Sequence, residues 1–327
     1  MIWVWVGFIA IILAFLALDL GVFHRKAHVV SLREALTWTV VWLSTAMLFN
    51  VGVYFMYEHH WMGLGQNVAH PLDGKQAALQ FFTGYLIEYS LSMDNVFVIA
   101  LIFVYFGVPA SYQHRVLFWG IVGAQVMRGI MIAAGTALIH RFEWIIYVFG
   151  ALLVATAIKM LVVHNDNIDP NRNPLVRLAR RIYPVSADFD GDKFFTRVDG
   201  RRAMTPLFLA LLIVESTDVL FAVDSIPAIF AITRDPFLVF TSNVFAILGL
   251  RSLYFALAGM MRKFRYLKIS LVFVLAFVGG KMILSHLFPI PTPISLAVIV
   301  AILLVGVAAS FVRADREESP AASSPIE

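Results

Sequence analysis

Six acidic side chains lie in stretches that otherwise read as too apolar for water: Asp19, Glu88, Asp94, Glu215, Asp218 and Asp224. A carboxylate at bilayer depth costs roughly 2.5–3.5 kcal/mol on insertion scales. LIEYSLSMDNVFVIALIF (86–103) carries Glu88 and, six residues on, Asp94 followed by Asn95. VESTDVLFAVDSIPAIF (214–230) carries Glu215, Asp218 and, six residues on, Asp224 followed by Ser225. Carboxylate, amide and hydroxyl oxygens are hard donors that suit Mg²⁺, Ca²⁺ or Mn²⁺. The chain has no cysteine, which excludes thiolate metal sites and Fe–S clusters. Neither stretch has a central histidine, which disfavours zinc and copper. Met93 would soften the set, though a methionine in an apolar helix usually packs.

Four bases share these apolar runs: Arg128, Lys159, Arg251 and Lys281. Six acids against four bases leave two negative charges if all are ionised, which one divalent cation would balance. The bland reading is helix glue, with Glu88 paired to Arg128 or Lys159 and Asp218 to Arg251, because intramembrane ions usually pair. Arg128 and Arg251 fit counter-ion or gating roles, since a guanidinium cannot ligate a cation. Lys159 and Lys281 fit the same roles or snorkel. Asp19 sits near the end of its run, where an interfacial role is expected. His59, His60 and His70 are expected to be solvated loop residues, and Asn50 and Asn243 to hydrogen-bond between helices.

These groups need helices to position them. Of 327 residues, 60% are hydrophobic and 14% charged, against about 25% charged in a soluble domain. Apolar runs of about 20 residues predict an all-α polytopic membrane protein. We count nine spans: 2–23, 35–57, 77–106, 116–139, 144–163, 206–232, 237–260, 267–288 and 294–312. The first lacks a basic lead and a cleavage site, and reads as a retained helix. One set of loops carries 18 Lys and Arg and the other three, which puts the N-terminus outside and the C-terminus inside. The transport domain is then 1–312, with a cytoplasmic loop over 164–205 and a polar, disordered tail over 313–327. Within the loop, 173–183 reads as an amphipathic helix at an anionic surface, with Leu175, Leu178 and Ile182 on one face. Asp199-Gly200 reads as a hairpin turn. DFDGDK (188–193) lacks the later ligands of a calcium loop.

The order acid, acid, arginine, lysine runs through Glu88, Asp94, Arg128 and Lys159, then again through Asp218, Asp224, Arg251 and Lys281. Each unit has three spans (77–163 and 206–288), so the second must enter the membrane from the opposite side. This is an inverted 3+3 repeat, a plan that puts substrate near the midplane at the repeat interface. Spans 3 and 6 are predicted to be discontinuous, the sixth at Pro227 and the third by unwinding near Asp94, which would free carbonyl oxygens as ligands.

FFTGYLIEYSLSMDNVFV (81–98) and VESTDVLFAVDSIPAIFAITRDPFLVFTSNVFAILGLR (214–251) resemble the signature blocks of the TerC family, in particular its Alx branch. The resemblance covers about residues 1–312 and extends in plan to LysE-type exporters. It implies a manganese pathway through Glu88, Asp94, Asn95, Glu215, Asp218 and Asp224, in a bacterial inner membrane. The family's tellurium-resistance name does not follow from the residues, because carboxylates repel an oxyanion.

The expected function is a secondary exporter of Mn²⁺, with protons as the coupling ion. Mn²⁺ would be cargo, with no resident cofactor, no nucleic-acid partner and no enzymatic activity. The alternatives are an exporter of an organic cation or amino acid, and a membrane scaffold in which acids and bases only pair. An intramembrane aspartyl protease would need YD and GxGD motifs, which are absent around Asp94 and Asp224.

Overall fold

The computed structural model describes residues 2–18, 31–66, 71–162, 173–198, 200–258, 265–285 and 287–318. Asp19 and His70 lie outside them. The elements are α1 (Ile2–Leu18), α2 (Leu32–Glu58), α3 (Gly74–Phe106), α4 (Ala110–Arg141), α5 (Ile145–Val162), α6 (Pro174–Ile182), β1 (Phe195–Val198), β2 (Arg201–Met204), α7 (Pro206–Phe230), α8 (Pro236–Leu248), α9 (Leu250–Ala258), α10 (Arg265–Ile283) and α11 (Thr292–Glu318). Among the described residues seven helical stretches are long and apolar enough to cross a membrane. Two shorter apolar helices, Ile2–Ala17 and Ile269–Ile283, fall on the first and eighth predicted spans. The chain is an all-α polytopic membrane protein.

Local sequence sets the helix ends. Ser31 accepts a hydrogen bond from the Glu34 amide at 3.3 Å and opens α2; Asp73 accepts from the Gln76 amide at 2.7 Å and opens α3. Gly107, at φ +63°, closes α3 in the left-handed conformation, and the Val108 amide returns to the Phe103 carbonyl at 2.9 Å. Pro206 and Pro236 stand at helix starts, where the missing N–H costs nothing.

The predicted breaks are not where the sequence suggested. α3 and α7 are each one continuous helix. Pro227 sits one turn from the end of α7, so its lost hydrogen bond ends the helix soon after instead of splitting it. The break falls in the seventh span, at Gly249 between α8 and α9. A glycine there adds backbone freedom that helix formation must overcome. The polar tail is helical further than expected, since α11 runs to Glu318.

α3, α4, α7 and α8 form the centre: α3 packs on α7 and α8, and α4 packs on α7 and α8. Exchanging the two repeats turns the α3–α8 contact into the α7–α4 contact, and both are present. α5 packs along α10, and the approach is as close as backbones allow. A Cβ on Gly150 would lie 2.9 Å from the Gly279 carbonyl oxygen, and one on Gly279 would lie 2.8 Å from that of Gly150. α1 and α2 pack beside α3 and α8 through Phe8, Phe49, Phe81 and Phe245, with Phe49 and Phe245 centroids 4.6 Å apart.

The predicted helix over 173–183 is α6, capped by Asn173. The predicted hairpin is β1–β2, antiparallel, with Arg197 opposite Arg202. Both dock on the ends of α4 and α7. Arg115 pairs with Asp192 at 2.6 Å and lies over the Phe194 ring, while Phe195 packs on Phe208 with ring centroids 4.6 Å apart and planes tilted at 44°. Asp190 bonds Thr196 and Lys193, so these acids hold the hairpin to its surroundings.

Candidate functional site

Arg128 projects from α4 into the middle of the helix bundle and is essentially fully buried. Its guanidinium forks onto Asp218 of α7, with Nε donating to Oδ2 at 3.2 Å and Nη2 to Oδ1 at 2.9 Å. Nη1 donates to Glu88 of α3 and, at 3.2 Å, to the Ser225 hydroxyl. Asn243 of α8 donates from Nδ2 to the second Glu88 oxygen at 3.1 Å. One arginine thus holds the leading acids of both repeats. The planar fork suits this task in a way that an ammonium would not. α4 lies against α7, so the base that meets Asp218 is Arg128, which also takes Glu88 as the helix-glue reading allowed; Arg251 sits buried on α9. Asn243 is the expected interhelical bond, with an acid as its partner. The Asn50 Oδ1 makes no such bond: it is buried without a hydrogen-bond partner among the described residues.

Next to this ion cluster lies a cavity of about 290 Å³. Its polar lining is Glu88, Asp94, Asn95, Thr156, Lys159, Thr217, Asp224 and Ser225, and its apolar walls include Leu91, Val98, Phe221 and Leu275. Asp94 and Asp224, the second acids of the two repeats, therefore open on one space. Thr156 of α5 donates to Asp224 at 2.8 Å. Sequence reading missed Thr156, although it stands one turn before Lys159 on the same helical face. A second void of about 20 Å³, room for one water, is lined by Asn95, Thr217 and Asp218. Asn95 and Thr217 line both spaces. Asn95 is buried, and its Oδ1 has no hydrogen-bond partner among the described residues.

The remaining predicted residues stand apart. Glu215 lies across Gly123 of α4, where a Cβ would overlap its carboxylate. Nine residues of helix separate Glu215 from Asp224, a rotation of about 180° at 100° per residue, so the two face opposite sides of α7. Lys281 donates to Ser295 of α11 at 2.8 Å, away from the cavity. His59 and His60 bond the carbonyls of Phe55 and Leu64 through Nδ1, at 3.0 and 3.1 Å. Among the described residues no three His, Cys, Asp or Glu side chains converge closely enough to hold a metal ion in this arrangement.

The cavity is large enough for a hydrated cation, since by the same measure one water needs about 10–15 Å³ and six need roughly 60–90 Å³. Its charge is also suited. With every group ionised, Asp94 and Asp224 exceed Lys159 by one negative charge, and Glu88 and Asp218 exceed Arg128 by one. A site that presents scattered oxygens and net negative charge in an apolar wall attracts a cation and repels an anion.

Residues 73–318 match the model of a family described as the integral membrane protein TerC family. An uncharacterized membrane protein of Myxococcus xanthus is 50% identical over 321 residues, 98% of this chain and 96% of the relative. A protein of Escherichia coli (strain K12) named putative membrane-bound redox modulator Alx is 45% identical over 302 residues, 92% of each chain. An uncharacterized membrane protein of Rickettsia felis is 40% identical over 309 residues, 94% of this chain and 97% of its own. No solved structure matches the chain.

Proposed function

This chain belongs to the TerC family of integral membrane proteins, and from that premise we propose that it is a secondary transporter that exports Mn²⁺, driven by protons moving inward. The observation that carries the reading is the pair Asp94 and Asp224, equivalent acids of the two repeats, opening on one cavity beside a buried ion cluster. Asp94 and Asp224 receive the ion, with Asn95, Thr156 and Ser225 as neutral oxygen donors. Glu88 and Asp218 are withheld from it by Arg128. Glu215 is a separate carboxylate station between α4 and α7. In the bacterial inner membrane, with the basic loops inside, moving a divalent cation outward against about 100 mV costs ~4.6 kcal/mol, at ~2.3 per charge. The sequence has no GxxxxGK[ST] nucleotide motif, so the energy comes from a coupled ion. Protons fit because carboxylates exchange protons for metal.

The redox role in the name of the Escherichia coli relative would have to act here without thiols, because the chain has no cysteine. Manganese handling is one chemical route to such an effect. A scaffold reading is favoured by one observation, the Arg128 cluster, which would glue four helices whether or not anything passes.

Uptake into inverted vesicles tests the reading, with wild type, Asp94→Asn and Asp224→Asn compared on Mn²⁺, Mg²⁺ and Zn²⁺. The expected result is Mn²⁺ accumulation linked to proton movement and lost in both variants, each still folded. Wild-type vesicles that accumulate no metal would overturn it in favour of the organic-solute or scaffold readings.

A further inference from the structure

The hairpin after α6 pairs like charges. Arg197 and Arg202 are direct cross-strand partners, an arrangement that places Cβ atoms about 4.5–5.5 Å apart and is destabilising for equal charges. Both line an open groove of about 610 Å³ together with Lys193, Tyr183 and Thr196. The one acid in the groove, Asp190, is already engaged: Thr196 donates to it at 2.9 Å and Lys193 at 3.2 Å. Those bonds hold its carboxyl below the ordinary carboxylate range. Among the described residues neither arginine has a carboxylate within ion-pair distance. The fold therefore places two forked cations side by side, and among the described residues the only acid in their groove, Asp190, is bonded to Thr196 and Lys193.

The surroundings say what kind of anion fits. α6 lies along the first three turns of α7. Asn173, the cap of α6, donates to Ser216 at 2.6 Å, and Phe195 of β1 meets Phe208 near the start of α7 with the rings tilted at 44°. Val176 is buried in that contact, whereas Leu175, Leu178 and Ile182 are exposed at 44%, 54% and 63%. The segment of α7 beside them, PLFLALLIV (206–214), is wholly apolar. Exposed leucines next to an apolar membrane helix face acyl chains, and Tyr183, which follows Arg180 and Arg181 at the end of that face, sits at headgroup level.

We propose that the groove binds the phosphodiester of an anionic phospholipid, with Arg197 and Arg202 sharing its oxygens and the outer face of α6 lying against the chains. The phosphate relieves the Arg197–Arg202 repulsion, so lipid binding and hairpin stability are linked. The site does not depend on what the central cavity carries.

The test is thermal unfolding of the delipidated full chain in detergent, titrated with phosphatidylglycerol, phosphatidylcholine or inorganic phosphate. Phosphatidylglycerol is expected to raise the melting temperature of wild type, and the other two to leave it unchanged. Each arginine removed should weaken the phosphatidylglycerol effect about five-fold, and Arg197→Gln with Arg202→Gln about 25-fold. Arg141→Gln, at the far end of α4, should leave it unchanged. Without lipid, Arg202→Gln should melt higher than wild type, which loss of a structural contact would not produce. Equal protection of wild type and the double variant by phosphatidylglycerol would overturn the site. Equal protection by inorganic phosphate would overturn the lipid as its source. If the double variant fails to fold, native mass spectrometry of Arg202→Gln decides, by whether it retains one fewer phosphatidylglycerol than wild type.

Discussion

Arg128→Gln removes the one cation that Glu88 and Asp218 share. In the structure this arginine makes a two-bond fork to Asp218, a bond to Glu88 and one to Ser225, all in a buried site. Glutamine is too short and uncharged, so two carboxylates remain buried with Asn243 as the chief donor left to Glu88. Breaking a buried pair by removing one partner costs about 3–5 kcal/mol, because the uncompensated charge stays behind. Arg128→Lys keeps the charge but loses the fork, and should cost about 2–3 kcal/mol, one charge-assisted bond. The control is the variant Glu88→Gln, Arg128→Gln, Asp218→Asn, which removes all three charges at nearly constant shape. It should recover to within about 1–2 kcal/mol of wild type, since replacing a whole buried ion cluster is often close to neutral. Unfolding in detergent at neutral pH, titrated with a denaturing detergent, reads all four proteins. Either of two results would refute the reasoning: Arg128→Gln within about 1 kcal/mol of wild type, or the neutral triple variant as unstable as Arg128→Gln. The first would mean that Arg128 does not hold the acids as ions. The second would mean that Arg128 acts through packing.

Three further outcomes are expected. Gly123→Ala drives a methyl group into the Glu215 carboxylate and should cost about 1–3 kcal/mol; adding Glu215→Ala should restore the loss in melting experiments, and an additive double variant would contradict the contact. Gly279→Leu should separate α5 from α10, where Gly150 and Gly279 meet, and lower the melting temperature more than Gly280→Leu, whose Cβ would meet nothing within 4 Å; equal effects would count against the close approach. Thr156→Val removes the hydroxyl that donates to Asp224 and should weaken Mn²⁺ transport by raising the half-saturating concentration about ten-fold, for a bond to a charged group worth about 1.5 kcal/mol; an unchanged concentration dependence in vesicles would separate Asp224 from the metal.

Much of the fold is legible in one dimension because its causes are local or additive. Hydropathy summed over 20 residues marks a helix whatever its neighbours, so each apolar run falls on a helix among α1 to α5 and α7 to α11, seven stretches long enough to cross a membrane and two shorter, with the seventh run divided at Gly249. Asn173 and Gly200, the latter at φ +76°, announce α6 and the hairpin by cap and turn chemistry that acts within a few residues, while Asp199 lies outside the described residues. The mislocated break shows the limit of local rules. Pro227 is a stronger breaker than Gly249, but where the helix was already ending it had little left to break. Acids in α3 did not require an unwound backbone, because a side chain from another helix satisfied Glu88. Glu215 was separable from Asp224 by counting residues around α7.

By itself, then, the sequence determined that the chain is a bundle of membrane helices, that its charges recur in two matched sets, and that the family is TerC. These follow from composition, order and motif, which do not depend on three-dimensional neighbours. Only the tertiary structure decided which acid meets which base. Arg128 takes Glu88 and Asp218 together because α4 lies against α7, and Asp94 and Asp224 share a cavity because α3 and α7 pack face to face. Charge pairing acts over a few ångströms between residues about 40 and 90 positions apart, and nothing in their spacing along the chain specifies which helices become neighbours.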